Sequence, residues 1–541
     1  MALKESLLKF GYLPENLPPT FKTEEIGKFL AAKSGWISKE PVRAATYNSS
    51  KRGMTRRVFS LIHPETAHDL AAFIDAHSPE FEDYFGKSPF SLSAPRLMEG
   101  GDRAVQIASH SELEAARLAK LAQFRFVAKT DISRFYHSIY THSIPWAFHG
   151  KATAKADRNP NSAATFMNRL DAILRSGQDG QTVGIPVGPD ASRYVAELVG
   201  TAIDLEFIAR GGAHNCEVIR HVDDVWIGAH SHADAEAALW KYREAIRSFE
   251  LDINESKTLI TSEQFRYSDV WPSDISTRIE FAIDSPSRRV PDRVRAALEY
   301  AFSLAAKDGD DGILKYTLRY LDRSDLADEH WEHIEPFLKR AAVHFGHTVD
   351  YVARIVVWRH LARRDLNIAE WTPILVNLLQ RHGRLGNDGE VCWALYAALR
   401  LGVPVPRDIA EAIVSNCGAL STVSLLAMVE FGLVDGAIFE FAEAAIVSES
   451  ACGPFWPVFL EWQSKGWPDG IFLVPANALV EEIAGSGISI FDASQLPAVF
   501  DDFEEEDFGS VGHAIEARTS QYDEDEDEDE DEDQEDDRVE Y

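Results

Sequence analysis

Apolar residues recur along this 541-residue chain with two different spacings, which divide it into regions. In the first 120 residues, the helical periods PETAHDLAAFIDAH and SELEAARLAKLAQF follow a proline-rich stretch, YLPENLPPTF. Apolar residues three and four positions apart predict amphipathic helices, and prolines interrupt such patterns. The N-terminal region is therefore predicted to mix loops and helices.

Strand-like and helical runs alternate between about residues 121 and 265. The runs RFVAKTDI, EVIRHVDDVWIG and DINESKTLIT are typical of short strands with their turns, and ASRYVAELVGTAIDLEFIARGG and ADAEAALWKYREAIRSFEL of helices. Such alternation is typical of α/β proteins.

Only helical periods remain from about 290 to 500, separated by Gly, Pro and Asp breaks, as in RVRAALEYAFSLAAKDG and EVCWALYAALRLG. No strict repeat is visible, but the pattern favours stacked helical hairpins. The region also contains tryptophans that we expect mainly in the core rather than at an interface: Trp331, Trp358, Trp371, Trp393, Trp456 and Trp462.

The net charge of −33 would argue against a nucleic-acid partner if it were evenly spread, but it is not. Residues 501–541 contain 22 Asp and Glu and only two Arg, and such a like-charge block is expected to be a disordered tail. No acidic residue lies between Glu40 and Glu65. Basic residues crowd into that interval instead: Arg43, Lys51, Arg52, Arg56 and Arg57. The sequence predicts a local basic patch, in which Lys51 and Arg52 are interpreted as solvated charges.

No apolar run reaches the roughly 18 residues of a membrane span, and the N-terminus lacks the pattern of a secretory signal. Four cysteines lie without CxxC or Cys/His spacing, so neither a disulfide framework nor a zinc site is predicted. We therefore expect a cytoplasmic protein with no membrane partner.

Two adjacent aspartates, Asp223 and Asp224, interrupt the apolar run CEVIRHVDDVWIGA. Burying two carboxylates side by side is costly unless a cation or a proton compensates. The flanking apolar residues predict two short strands joined by a hairpin turn with the aspartates at its tip. Taken alone, such a pair is more often a solvated turn, so its surroundings must decide.

A third carboxylate, Asp131, ends the apolar strand of RFVAKTDI. If the two strands are neighbours, three carboxylates converge at one edge of a sheet. Mg²⁺ prefers oxygen ligands, and two such ions stabilise the attacking and leaving oxygens of an in-line phosphoryl transfer. The interpretation is therefore a pair of Mg²⁺ ions at this edge.

The remaining motifs occur in the order of a polymerase palm. GQTVGIPVGPDAS, with Gly184, Pro186 and Gly188, forms a rigid turn between the two aspartate motifs, and its backbone could approach a base or template closely. LDINESKT follows them and places Lys257 where a cation could reach a departing pyrophosphate.

Four longer stretches make the resemblance specific: LPPTF, TDISRFYHSIYTHSIPWAFHGK, RLDAILRSGQDGQTVGIPVGPDASRYVAE and GEVCWALYAALRLG. Together they resemble the bacterial abortive-infection and defence-associated reverse transcriptases, antiphage proteins of the unknown-group type. The resemblance extends from about residue 10 to about 430 and is strongest over 125–260. Two features depart from the family pattern: His221 stands where an aromatic, usually Tyr, is commoner, and the acidic tail has no counterpart.

The resemblance implies an α+β reverse-transcriptase palm and fingers followed by an all-α helical-repeat domain and a disordered acidic tail. The corresponding segments are fingers and N-terminal region 1–120, palm 121–265, connector and helical domain 266–500, and tail 501–541.

It also implies the roles of individual residues. Asp131, Asp223 and Asp224, together with Ile132, would hold two Mg²⁺ ions, and Lys257 would neutralise or protonate pyrophosphate. The other implied contacts are to substrate: Tyr136 as the floor that excludes a ribose 2′-OH, Arg56 and Arg57 as phosphate contacts, and Gly184, Pro186 and Gly188 as residues shaping the nucleotide and template pocket.

The implied activity is RNA-directed DNA polymerisation from dNTPs in antiphage defence. Family members work with a companion non-coding RNA, without a template, or from a protein hydroxyl, and often as homo-oligomers. Tyr522 and Tyr541 stand at the two ends of the most acidic part of the tail and are priming candidates, alongside any tyrosine or serine nearer the cleft.

Two alternatives belong to other functional classes. A catalytically idle nucleic-acid-binding scaffold is disfavoured because all three carboxylates are present. An abortive-infection effector acting through the helical domain could carry a ribonuclease, but RHGRLGN and RDLNIAE both lack the closing His of the Arg-polar-x4-His pattern.

Overall fold

The computed structural model describes residues 2–14, 16–52, 55–98, 103–262, 271–283, 285–322, 330–363, 365–468 and 477–495. The acidic segment 501–541, with Tyr522 and Tyr541, lies outside the described residues. The predicted tail and its priming tyrosines therefore stay predictions.

Strands are labelled in chain order: Ala45–Lys51 (β1), Thr55–Leu61 (β2), Arg96–Leu97 (β3), Val105–Gln106 (β4), Phe126–Asp131 (β5), Cys216–His221 (β6), Asp224–Ala229 (β7) and Leu259–Thr261 (β8). Up to residue 262, helices occupy Leu3–Lys9, Glu24–Ala31, Pro64–Ala76, Ser78–Phe85, His110–Leu121, Phe135–Ser138, Ser143–His149, Lys151–Ala156, Met167–Ser176, Asp190–Ala209 and His232–Arg247. From residue 271 onward they occupy Trp271–Ile283, Val290–Asp308, Gly312–Asp322, Trp331–His344, Val349–Arg363, Ile368–Leu385, Asp388–Leu401, Arg407–Asn416, Ala419–Ala427, Ile438–Ile446, Trp456–Lys465 and Ala478–Gly485.

The central sheet has four strands in the order β6-β7-β5-β8, and every pairing in it is antiparallel. The α/β interpretation of the alternating pattern is therefore wrong for this region, because α/β proteins have mainly parallel sheets. The two-residue turn between β6 and β7 explains the difference, since strands joined so tightly must pair antiparallel. The α+β arrangement implied by the resemblance describes this sheet.

Both faces of the central sheet are covered. Ile219 and Trp226 pack with the helix His110–Leu121 on one face, whereas Val218 and Val225 belong to the main core on the other. A strand buried on both faces is apolar at consecutive positions rather than at alternate ones. This explains why VWIG is a continuous apolar run.

A second, two-stranded sheet precedes the central sheet in the chain. It consists of β1 and β2, residues 45–61, and is called here the fingers hairpin because it lies in the predicted fingers segment. Its strands pair antiparallel, from Ala45 with Leu61 to Lys51 with Thr55. The sequence pattern did not predict these strands. The fingers hairpin packs against helices of the region from residue 271 onward, called here the helical region.

The helical region consists of helices that pack against their neighbours in sequence, and the predicted helical periods are present. Five of the six tryptophans singled out there are buried and Trp331 is half-buried, so the prediction that they lie mainly in the core is confirmed. Within the described residues, no helix has the length and apolar character needed to cross a membrane.

The end of the helical region returns to the beginning of the chain. The amide of Lys22 donates to the carbonyl of Ile490 at 2.9 Å, and the amide of Asp492 donates to that of Thr20 at 2.8 Å. The rings of Phe21 and Phe491 pack edge to face with centroids 5.2 Å apart. The two ends of the described chain thus share one core.

Candidate active site

Three carboxylates meet at one end of the central sheet. Asp131 is the last residue of β5 and lies opposite Asp224, the first residue of β7, while Asp223 occupies the turn before it. The amide of Ile132 donates to the carbonyl of Asp223 at 3.1 Å, which ties the end of β5 to this turn. The predicted hairpin and the predicted neighbouring strands are both confirmed.

The turn that presents Asp223 is held in an unusual backbone conformation. Val222 has φ of 50°, which is strained for a β-branched residue. Its amide donates to Ser93 Oγ at 2.5 Å, and its carbonyl accepts from the Arg220 guanidinium at 3.3 Å. Contacts on both sides therefore keep the turn in place. Neither Ser93 nor Arg220 was recognised in the sequence.

Arg220 is fully buried beneath the turn and belongs to a charged cluster. It donates to both oxygens of Glu197 at 2.9 Å and to Asp204 at 2.9 Å. Burial alone would lower the pKa of Arg220, but the two carboxylates raise it well above its usual value. A Cβ on Gly200 would lie 2.6 Å from the guanidinium, so this glycine leaves room for it. The cluster of one guanidinium and two carboxylates is thus a buried, hydrogen-bonded support under the turn that presents Asp223.

His221 stands where related motifs have an aromatic residue. It is buried, and its Nε2 lies 2.9 Å from the carbonyl of Ala108. The ring thus fills the aromatic position and also binds the segment that precedes the helix His110–Leu121.

Lys257 reaches the carboxylates from a short 3₁₀ turn, Glu255–Lys257. Its Nζ lies 3.3 Å from Asp131 Oδ2. The amide of Asn254 donates to the carbonyl of Asp131 at 2.8 Å, so the turn is tied to the end of β5. The ammonium group of Lys257 is therefore held beside the cluster of three carboxylates.

A cavity of about 480 Å³ opens above the carboxylates. It is lined by all three aspartates and by Lys257, and also by other residues of the predicted site: Tyr136, Arg56, Arg57 and Gly188. Arg134 and Arg193 line it as well, although neither was singled out in the sequence. The cavity therefore has carboxylates on its floor and basic side chains on its walls.

The Gly-Pro loop supports the wall that carries Tyr136. The amide of Ile185 donates to the carbonyl of Tyr136 at 2.8 Å. Gly184 has φ of 90°, and a Cβ there would lie 3.3 Å from the carbonyl oxygen of His137. Gly184 and Pro186 are buried behind this wall, whereas Gly188 lines the cavity. The half-buried Tyr136 ring packs edge to face with Phe135, with centroids 6.0 Å apart.

Arg56 and Arg57, which are adjacent on β2 of the fingers hairpin, differ in their surroundings. Successive residues of a strand point to opposite faces. The charge of Arg57 acts on Asp223, whereas the guanidinium of Arg56 donates to both oxygens of Glu390 at 2.8 and 2.7 Å. The structure therefore brings Arg57, but not the guanidinium of Arg56, toward the carboxylates.

The interpretation of Arg52 as a solvated charge is wrong. Arg52 is buried and pairs with Asp310, with Nε 2.9 Å from Oδ1. The partner comes from a segment more than 250 positions further along the chain, which a local charge pattern does not reveal.

The electrostatics of the cavity favour binding of cations at its floor. Burial, followed by the neighbouring charge of Asp131, raises the pKa of Asp223 to about 7, while Lys257 and Arg57 oppose this. On the wall, burial and the charges of Arg134 and Arg57 lower the pKa of His137. The floor of the cavity therefore carries an excess of negative charge, which a bound cation would neutralise.

The residues present fit a pair of Mg²⁺ ions. The donors are carboxylate oxygens, which Mg²⁺ prefers, and they are half-buried or buried at an open cavity. In the described parts of the chain, no group of three or more His, Cys, Asp or Glu side chains forms a ready-made metal cluster. Mg²⁺ in phosphoryl-transfer sites is usually bound by one or two carboxylates together with substrate phosphates.

A family model described as "Reverse transcriptase (RNA-dependent DNA polymerase)" matches residues 82–270. The match includes the three aspartates, Tyr136 and Lys257. The chain carries a reverse transcriptase domain. Domains of this family are RNA-directed DNA polymerases, a class of nucleotidyltransferases. The family implies nucleic-acid binding, with RNA as template and DNA as product, and its domains generally use divalent metal ions.

No curated protein matches the chain. Among solved structures, the telomerase from Candida albicans in complex with the TWJ fragment of telomeric RNA is similar over 62% of this chain and 64% of that chain. The sequence identity is 10% and the TM-score is 0.29. The similarity thus spans less than two thirds of the telomerase chain.

Proposed function

We propose that the reverse transcriptase domain synthesises DNA from dNTPs by two-metal nucleotidyl transfer at Asp131, Asp223 and Asp224, in the service of antiphage defence. The observation that carries the catalytic part is the convergence of these carboxylates with basic side chains around one 480 Å³ cavity. The defence role is supported by the resemblance of the sequence motifs alone.

The protein's own residues have distinct roles in this proposal. Asp131, Asp223 and Asp224, with Ile132 beside them, would hold two Mg²⁺ ions, which when bound stabilise the attacking and leaving oxygens. Arg57 contacts the triphosphate, because a guanidinium matches phosphate oxygens in a bidentate manner.

Two further side chains complete the site. Lys257, close to Asp131, neutralises the departing pyrophosphate. Tyr136 closes the cavity beneath the sugar and excludes a 2′-hydroxyl.

The proposals for the template and for the start of synthesis rest on the same resemblance. For the template, it supports either a companion non-coding RNA or synthesis without a template. It also supports a start on a protein hydroxyl and a homo-oligomeric assembly. Tyr522 and Tyr541 are the proposed priming residues, and both lie outside the described residues.

The test uses the full chain, purified with its nucleic acid, which is then sequenced. Each labelled dNTP is added with Mg²⁺, and the product is treated with protease to reveal a protein-linked start. We expect Asp131→Ala, and Asp223→Ala combined with Asp224→Ala, to abolish incorporation while the protein stays folded, because the carboxylates repel one another without metal.

Glu217→Ala is the matched control, since it removes a partly exposed carboxylate from β6 of the same sheet, outside the cavity. It should leave incorporation unchanged. Undiminished incorporation by the double aspartate variant would refute the proposal and return the idle scaffold as the better explanation.

A further inference from the structure

The fingers hairpin lies between the cavity and the helical region. On one side, Arg57 lines the cavity, and the amide of Ser60 in the same strand donates to the carbonyl of Val187 in the Gly-Pro loop at 2.8 Å. On the other side, Arg56 turns to the helical region. Any displacement of β2 would therefore move Arg57 relative to the carboxylates.

Acidic side chains of the helical region hold this second side. Arg56 is bidentate to Glu390, and its Nε also donates to Asn48 Oδ1 at 2.6 Å. Asn48 in turn donates to Asp388 Oδ2 at 2.7 Å. Strands β1 and β2 are thus joined to each other and to the N-terminal turn of one helix, Asp388–Leu401.

The contact is too close to allow other arrangements of these groups. A Cβ on Gly389 would lie 2.9 Å from Ser49 Oγ and 3.1 Å from its Cα, so the helix touches the backbone of β1. Glu390 is 3% exposed, and a Cβ on Gly346 would lie 2.8 Å from its Oε1. The carboxylate is therefore closely packed where it meets Arg56.

We propose that Glu390 is a positioning residue for the nucleotide site: by holding Arg56 it fixes β2 so that Arg57, on the opposite face, is directed at the carboxylate floor. The helical region thereby sets the geometry of the fingers. This inference rests on the proposed function, because it assigns Arg57 to the triphosphate.

The kinetic consequence follows from what Arg57 contacts. A phosphate contact made equally in the ground state and the transition state affects KM rather than kcat. Glu390→Gln keeps the size of the side chain but removes the charge that holds Arg56. We expect the KM for dNTP to rise about tenfold, the equivalent of weakening one charge-assisted hydrogen bond, with kcat changed much less.

Glu335→Gln is the matched control. Glu335 accepts from Trp371 Nε1 at 2.8 Å and pairs with Lys339 at 3.2 Å, so the substitution likewise removes a charge from a contact between helices of this region. It does not touch the fingers hairpin and should leave KM unchanged. An equal rise in KM for both variants would show general loosening and overturn the proposal.

A double-mutant cycle separates positioning from stability. Arg57→Ala removes the group that Glu390 is proposed to direct, so Glu390→Gln should raise KM no further in that background. Additive effects of the two changes would mean that Glu390 acts by another route and would refute the proposal.

Hydrogen exchange tests the positioning without any catalysis. In the full-length Glu390→Gln protein, the amides of residues 45–61 should exchange faster than in the unaltered protein, with those of β5 to β7 unchanged. If the unaltered protein incorporates no dNTP, the proposed function fails while this result still decides the role of Glu390. Unchanged exchange at 45–61 would overturn the inference in either case.

Discussion

Glu461 shows how one buried side chain can make stability depend on pH. It is fully buried in the helix Trp456–Lys465, accepts from the amide of Ile490 at 2.6 Å and lies 2.6 Å from Ser489 Oγ. Ser489 Oγ is also 2.8 Å from the carbonyl of Phe491. A protonated Glu461 can donate to Ser489, which then donates to Phe491, so the neutral form satisfies all three groups.

Burial raises the pKa of Glu461 to about 7, from 4.5 in the unfolded chain. The folded protein therefore binds the proton more tightly, and the resulting stability is complete below about pH 4.5 and lost as the pH rises through about 7. Glu461→Gln cannot ionise and can still donate to Ser489. At pH 8 we expect its free energy of unfolding in urea to exceed that of the unaltered protein by up to about 3 kcal/mol. At pH 5 the two free energies should differ little.

The measurement is urea unfolding at both pH values. Glu481→Gln, at an exposed position of the helix Ala478–Gly485, is the control and should show no pH-dependent difference. If the difference in the free energy of unfolding between Glu461→Gln and the unaltered protein were the same at pH 5 and pH 8, Glu461 would not be the group that titrates.

Site residues were predictable from the sequence where their chemistry is local. The three aspartates end or join apolar strands, so their convergence needed only one strand pairing, Asp131 opposite Asp224. The two fingers arginines look equivalent in the sequence. They differ because β2 points them to opposite faces, and because the partner of Arg56, Glu390, lies 334 positions away.

At the scale of the element, the hairpin of β6 and β7 depends on the buried cluster around Arg220. Removing Arg220 leaves Glu197 and Asp204 buried without their cation, a loss that typically costs about 3–5 kcal/mol. Arg220→Met should therefore be strongly destabilised. Combining it with Glu197→Gln and Asp204→Asn should restore much of the stability, since neutral groups are cheaper to bury.

Stability and activity should respond differently in this series. Without the guanidinium, the carbonyl of Val222 loses its donor in a strained turn, so we expect both variants to lose dNTP incorporation. Urea unfolding measures the stability of each variant. Incorporation of dNTP is measured at a temperature below the unfolding temperature of each protein. A triple variant with wild-type incorporation would show that the cluster supports the fold but not the turn.

The elements that the sequence predicted are those whose apolar pattern is complete within one segment. The helices that the sequence analysis singled out and strands β5 to β7 are of this kind. The fingers hairpin is not, because ATYNSSK has few apolar residues and becomes half-buried only when the helical region packs on it. Its strands therefore depend on residues that follow by more than 300 positions, such as Asp388 and Glu390.

At the scale of the whole molecule, the helical region and the central sheet are parts of one core. A single buried apolar cluster extends from Leu7 to Phe491 and includes residues of the fingers hairpin, the central sheet and the helical region. The sequence predicted separate segments, and these segments do differ in the spacing of their apolar residues. It could not show their joint core, because the joining contacts, such as Phe21 with Phe491, connect the two ends of the described chain.

A shared core predicts cooperative unfolding, although chains of this size commonly unfold in several steps. Phe491 is 2% exposed and packs on Phe21, so Phe491→Ala removes buried ring atoms and should cost about 3–5 kcal/mol. We expect hydrogen exchange in increasing urea to show residues 2–31 and 438–485 losing protection together, at a lower urea concentration than in the unaltered protein. Phe431→Ala, at a ring that is 53% exposed, should shift neither. Loss of protection confined to 438–485 would mean that the helical region unfolds by itself, and the palm would then retain its fold without the helices that hold its fingers.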